Sequence, residues 1–267
     1  MGRCLCVVKI GGSVITDTAT PKKALTGEIR RLLKEINEAG NAADTDIIIG
    51  HGGGSFPHIP AKRYKVSEGL INGKSMEGAL ATLRDARELN TIVISEGLEL
   101  GVPLFPFSAS SFTLSEDGRI TTGLTEQIRE ALSRGFMPLV YGDVGIDTRK
   151  GVCILSTEEI LRFLAIDIKP VKVVFGTDVD GVFDKDPKGG NARIIREIDH
   201  NNIGAIGSAL GTTRKVDVTG GMRTKVALLH EIVKMTGATG YIVNASRPNA
   251  VRDAILGVEE RCTIVRP

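Results

Sequence analysis

The chain runs to 267 residues, enough for one large α/β domain or two closely joined lobes. Its 34 Lys and Arg nearly balance 32 Asp and Glu, and a formal charge of +2 gives no support for a nucleic-acid partner, which normally needs a basic face. Glycine is abundant at 32 residues, Trp is absent and aromatics are few, which implies tight turns around an aliphatic core of the kind parallel sheets bury.

In chain order, the opening apolar run places Cys4 and Cys6 on one face of a strand that continues through Val7 to Ile10 and empties into Gly11, Gly12 and Ser13. That run is too short for a secretory core and no stretch is apolar for long enough to span a membrane, so a cytoplasmic protein is expected. The four cysteines, which include Cys153 and Cys262, form no Cys-x-x-Cys pair and read as free thiols of a reducing compartment. Within 26–39, Ile29, Leu32, Leu33 and Ile36 fall at helical spacing, and Gly40 marks the end of the helix. Ile47 to Ile49 read as a buried strand. The helical pattern returns over 75–98, with Leu80, Leu83, Ala86 and Leu89 as its stripe. Strands are expected at 102–107, 137–141, 171–175 and 240–244, and helices at 125–133, 156–166 and 222–236. Short apolar stretches around Glu116-Asp117-Gly118 and Arg149-Lys150-Gly151 read as hairpins inserted in the sheet. The alternation implies a three-layer αβα sandwich around a mostly parallel, open central sheet, with two lobes, 1–165 and 166–267, sharing that sheet.

The run from Asp46 to His58 is the most informative. A β-branched strand opens into Gly52-Gly53-Gly54, then Ser55, then a histidine at 58. Glycines let bare N–H groups approach an anion closely, and a nearby imidazole adds a donor. Lys9-Ile-Gly-Gly-Ser13 after the first strand and Asp217-Val-Thr-Gly-Gly221 before a helix are similar junctions, with Lys9 and Lys225 at short range. Neither a P-loop nor a dinucleotide fingerprint fits. One Gly-Gly junction alone is a weak signal, since turns are the commoner use of glycine. Three at element ends, two with lysines, point to phosphate handling, and phosphoryl transfer needs such N–H groups and cations.

Lys9-Ile-Gly-Gly-Ser-Val-Ile-Thr-Asp17, His51-Gly-Gly-Gly-Ser-Phe-x-His58, Tyr141-Gly-Asp-Val144, Thr177-Asp-Val-Asp-Gly-Val182 and Asp217-Val-Thr-Gly-Gly-Met222 with Lys225 resemble, in order, the amino-acid-kinase superfamily, and most closely its archaeal isopentenyl phosphate kinases. The resemblance implies an acceptor lobe over 1–165 and a nucleotide lobe over 166–267. It implies ATP and Mg²⁺, a small phosphorylated isoprenoid as substrate and a homodimer, with no nucleic-acid or membrane partner and no protein metal ligands. Lys9 would bridge the transferring group. Gly11, Gly12 and Ser13 would offer N–H groups to ATP, and Gly53 and Gly54 would hold the acceptor phosphate and the migrating group. His58 would grip the acceptor phosphate, Asp178 through Gly181 would line the nucleotide site, and Gly221 and Lys225 would bind its phosphates. The acceptor's tail would lie along 75–98 beside Met76, Gly78, Ala79, Ala81 and Thr82, a roomy pocket.

Three departures stand out. Thr18 occupies a position where the family carries a lysine, and Lys22 or Lys23 reaching back is weighed against both being solvated. Ser156-Thr-Glu-Glu159 replaces Ser-Gly-Asp-Asp. Glu158 would orient the lysines and Thr157 would meet the acceptor, while Ser156 and Glu159 also read as a capping box. Pro57 replaces a glycine and either removes a donor or stiffens the loop. His51 reads as a packing residue that shapes the loop, His200 and His230 as surface residues, Asp184 and Asp186 as turn residues, and Asp143 as support for lysines or metal. The rival readings are a fosfomycin-type kinase, another small-acceptor kinase, and a catalytically weak nucleotide sensor on the same fold.

Overall fold

The computed structural model describes residues 3–185, 187, 191–210 and 221–267. The chain forms β1 (Cys4–Ile10), α1 (Gly12–Ile15), α2 (Thr26–Ala42), β2 (Thr45–His51), α3 (His58–Arg63), α4 (Ser75–Glu99), β3 (Leu104–Phe107), β4 (Thr113–Glu116), β5 (Arg119–Gly123), α5 (Glu126–Ser133) and β6 (Met137–Tyr141). It continues with β7 (Asp143–Asp147), β8 (Gly151–Leu155), α6 (Thr157–Ile168), β9 (Lys172–Thr177), β10 (Glu197–Ile198), α7 (Ile203–Leu210), α8 (Gly221–Thr236), β11 (Thr239–Asn244), α9 (Ala250–Leu256) and β12 (Cys262–Val265).

Among the described residues, eight strands form one sheet in the order β10-β12-β11-β9-β1-β2-β6-β3. The six from β11 to β3 run parallel, and β12 returns antiparallel to β11. The pleat sends alternate residues of β1 to opposite faces. Cys6, Val8 and Ile10 meet Leu32, Leu33 and Ile36 of α2, Leu89 and Val93 of α4 and Val251 and Ile255 of α9. Val7, with Ile48, Val173 and Phe175, faces Ile160, Leu161 and Leu164 of α6 and Leu229, Ile232 and Val233 of α8. These are the three layers the alternation implies. No helix among the described residues is long and apolar enough to cross a membrane.

The structure corrects several expectations. The hairpins are not inserted in the main sheet; β5-β4-β7-β8 is a second, four-stranded sheet. Gly40 does not end α2, which runs on to Ala42. It lies against Ile47, whose Cδ1 would stand 2.8 Å from an added Cβ. Leu80 is 60% exposed, and α4 instead buries Thr82, Asp85 and Asn90 beside Ala86 and Leu89. α9 and β12 lie in a stretch where the sequence pattern yields no element.

Candidate active site

β1 lies between β2 and β9, with Ile10 in register with His51 on one side and Gly176 on the other. The chain leaves β1 toward β2 and later returns to β9 on the opposite side. The carboxyl ends of these strands therefore border a crevice of the kind in which open α/β sheets bind ligands. The loop after β1 and the loop after β2 meet backbone to backbone there. A Cβ on Gly12 would collide with the amide of Gly54, and one on Gly52 would lie 2.7 Å from the nitrogen of Gly12. Gly54 has φ +53°, and a side chain on it would strike Thr16. The Thr16 hydroxyl links the loops by donating to the Gly12 carbonyl (2.8 Å) and accepting from the Ser55 N–H (3.1 Å). Gly11 serves differently from expectation. Its N–H donates to the Gly176 carbonyl at 2.9 Å, which leaves it no donor for a nucleotide. Gly12 and Ser13 open α1, where helical N–H groups lack intrahelical partners.

The charges gather around the first turn of α6. Lys9 points from β1 and is 3% exposed; Glu158, on the first turn of α6, is 6% exposed. The Lys9 Nζ stands 2.9 Å from the Glu158 Oε1, and Lys225 of α8 brings a second ammonium to 4.0 Å from the same oxygen. Burial alone would raise the Glu158 carboxyl's pKa. The two lysines outweigh it and hold the group below the usual carboxylate range. Two cations around one anion, the Lys225 ammonium partly open to solvent, keep a net positive charge, which suits a polyphosphate. Glu158 thus sits between the two lysines. Ser156 caps α6 by accepting the Glu159 N–H at 3.1 Å, while the Glu159 carboxylate turns to the Ile120 N–H and to Arg162 and leaves the capping box half formed. Thr157 spends its hydroxyl on the His51 carbonyl (2.7 Å) and offers an acceptor only its backbone.

His58 is the first residue of α3 and is half-buried. Pro57 precedes it at φ −78°, and its ring covers Gly53 so closely that a Cβ there would overlap it. Its carbonyl accepts the Ala61 N–H at 3.0 Å, an opening bond of α3. His51 is fully buried, 3.1 Å from the Asn90 Oδ1 and stacked on Tyr141 at 5.7 Å, in the packing role expected of it. Asp143 accepts the N–H groups of Ser110 (3.0 Å) and Val144 (2.9 Å) and supports backbone.

Neither lysine near Thr18 stands in for the missing one. Lys22 is bonded to Asp85 and Glu88 of α4, each at 2.7 Å, and Lys23 pairs with Asp17 at 3.1 Å. Asp178 is exposed at the end of β9, and Gly181 lies against Thr263. Gly221 opens α8 at φ +62°. Residues 217–220 of the third glycine junction and Asp186 lie outside the described residues. Asp184 accepts the Arg193 N–H, a turn role as expected. His200 is exposed, but His230 is half-buried rather than superficial. Burial first, then Lys234 and His200, push its imidazole below the usual value. Of the five residues expected beside the tail, only Ala81 lines the cleft of about 540 Å³ between α3 and α4; Met76 faces solvent, Gly78 is covered by Tyr64, and Ala79 and Thr82 are buried. Two supporting residues gave little sequence signal. Thr16 hides inside the first motif, and Asn90 reads as an ordinary polar residue on a helix.

An open, mostly parallel sheet with two glycine loops at its strand ends and a Lys–Glu–Lys cluster beside them defines a phosphotransferase of the amino-acid-kinase fold. The chain belongs to the amino acid kinase family, whose model matches residues 5–244. It is similar to an isopentenyl phosphate kinase from Methanocaldococcus jannaschii, with 32% identity over 96% of each chain. A second, from Thermoplasma acidophilum, is 34% identical over 93% of this chain and 95% of that one. A solved isopentenyl phosphate kinase structure superposes with a TM-score of 0.83 at 29% identity, covering 98% of this chain and 99% of the other.

Proposed function

We propose that the chain transfers the γ-phosphoryl group of ATP to the phosphate of isopentenyl phosphate, giving isopentenyl diphosphate and ADP. The observation that carries the reading is the Lys9–Glu158–Lys225 cluster, in which the buried Glu158 meets the buried Lys9 at 2.9 Å and the partly exposed Lys225 at 4.0 Å. Full-length similarity to isopentenyl phosphate kinases supports the acceptor. Residues 1–165 form the acceptor half and 166–267 the nucleotide half.

In this mechanism the acceptor phosphate is already an anion and needs no protein base. Catalysis reduces to alignment and to stabilising charge on the transferring group. Lys9 bridges that group, and Lys225 follows the charge that builds toward the leaving phosphate. Glu158 holds both ammonium groups in place without neutralising them. Gly12, Ser13 and Gly54 supply N–H groups to the nucleotide and the migrating group, while Gly53 and the Thr157 backbone meet the acceptor. His58 donates to the acceptor phosphate and selects a phosphorylated acceptor over a carboxylate. Asp178, Gly181 and Gly221 border the nucleotide. The chain's own residues hold the phosphates, and a Mg²⁺ ion carried on them would supply further charge neutralisation, as suits a hard cation that keeps several waters. Among the described residues, no three His, Cys, Asp or Glu side chains converge as a metal set.

The isoprenoid tail runs toward the α3–α4 cleft, against Ile59, Tyr64, Leu80 and Ala81, and its volume leaves room beyond five carbons. Two copies pair through the edge strand β3, where Phe105 (43% exposed) packs on Phe107 and Phe136 at 5.2 and 5.3 Å. The cytoplasm, whose reductants keep an exposed thiol such as Cys4 free, is the compartment. ADP release across isopentenyl, dimethylallyl and geranyl phosphates, with fosfomycin as rival, tests the acceptor. Turnover of the isoprenoid phosphates is expected. A preference for fosfomycin would overturn the acceptor, and a strict five-carbon limit would overturn the roomy tail site.

A further inference from the structure

Glu158 and Glu159 are neighbours in sequence but serve different partners around α6. Glu158 turns to the two active-site lysines. Glu159, equally buried, accepts the Ile120 N–H of β5 at 2.8 Å and holds Arg162 in a two-pronged pair at 2.6 and 2.7 Å. Arg162, also buried, reaches on to Glu231 of α8 at 3.6 Å. Glu231 receives a second two-pronged pair, from Arg119 at the start of β5, at 2.7 and 3.2 Å. Four charges of alternating sign thus tie β5, α6 and α8 together. Paired forks of this kind fix orientation more strictly than a single contact.

α8 also carries Lys225, six residues before Glu231, which places it about 9 Å further up the helix axis. Lys9 is drawn to 2.9 Å from Glu158, whereas Lys225 stands off at 4.0 Å. The reach of Lys225 is therefore set by the seat of α8 as well as by the carboxylate.

We propose that Arg119 and Glu231 are positioning residues for phosphoryl transfer: the Arg119–Glu231–Arg162–Glu159 chain locks α8 onto α6 and so sets where the Lys225 ammonium meets the phosphates. Arg119 is half exposed, and a pair so placed adds little to stability. A loss on removing it is then read in the reaction rather than in unfolding. The inference rests on Lys225 acting on the phosphates, so the test separates the two.

The test is steady-state kinetics of the full chain with Arg119→Ala, Arg119→Lys, Lys225→Met and the Arg119→Ala/Lys225→Met double variant. Misplacing a reacting charge by an ångström costs up to about 10²-fold, so a fall in kcat of about tenfold is expected for Arg119→Ala. The acceptor KM and the melting temperature should barely move, and Arg119→Lys should recover part of the rate. In the Lys225→Met background the Arg119 change should have no further effect, because coupled residues are not additive. An undiminished Arg119 effect in that background, or a normal kcat in Arg119→Ala beside a slow Lys225→Met, would overturn the inference alone. A normal kcat in Lys225→Met would overturn the role of Lys225 and the inference with it.

Discussion

Lys9, near the end of β1, and Glu158, on the first turn of α6, meet at 2.9 Å, each almost wholly removed from solvent. Buried opposite charges seldom add net stability, but removing one of them strands the other. Glu158→Gln is expected to destabilise the protein by about 3 kcal/mol through the uncompensated lysines. It should also slow turnover by about 10²-fold as the ammonium groups lose their alignment. Denaturant unfolding and single-turnover rates check the two effects separately.

His58 opens α3 directly after Pro57, whose ring lies against Gly53. His58→Ala is expected to raise the acceptor KM and to lower kcat by about 10²-fold, the cost of a donor lost from the transition state. His58→Gln should retain part of both functions. Kinetics at varied acceptor and saturating ATP measure this, and unchanged constants in the alanine variant would remove the role assigned to the histidine.

At the loop crossing, Gly12 faces the amide of Gly54, and Gly54 holds φ +53° against Thr16. Gly54→Ala adds a clash to a backbone conformation that costs an alanine about 1 kcal/mol or more. The variant should lose most of its activity and melt lower, whereas Gly73→Ala, where a Cβ meets nothing within 4 Å, should behave as wild type. Thermal melts and turnover of both variants make the comparison.

Burial pushes the His51 imidazole below its usual value, although its partners Asn90 and Gly52 pull the other way. A lowered folded-state value means that the unfolded chain binds more protons between the two values. The contribution is therefore full above the unfolded value of about 6.5 and is lost as pH falls toward the folded one. The melting temperature should drop between neutral and mildly acidic pH, and His51→Gln should flatten that part of the curve.

The strand–helix alternation and the glycine junctions were legible because each depends on local chemistry: β-branched runs, turn residues and lysines at short range. Glu158 was legible from its place in the motif. What escaped depends on partners distant in sequence. α4 buries Asp85 and Asn90 in preference to Leu80 because Lys22 and His51 wait there to bond them, and an apolar-stripe rule presumes an apolar neighbour. Gly11 loses its N–H to Gly176, a register neighbour that only strand pairing brings close. The hairpins look like parts of the main sheet until β4 pairs with β7 and closes a sheet of their own.

Phosphorus NMR of ATP mixed with isopentenyl phosphate tests the central claim most directly. Signals of ADP and of a new diphosphate ester should grow in step with the enzyme as given and stay absent with Lys9→Ala. ATP consumed to inorganic phosphate with no diphosphate ester, or ATP bound and never consumed, would contradict it.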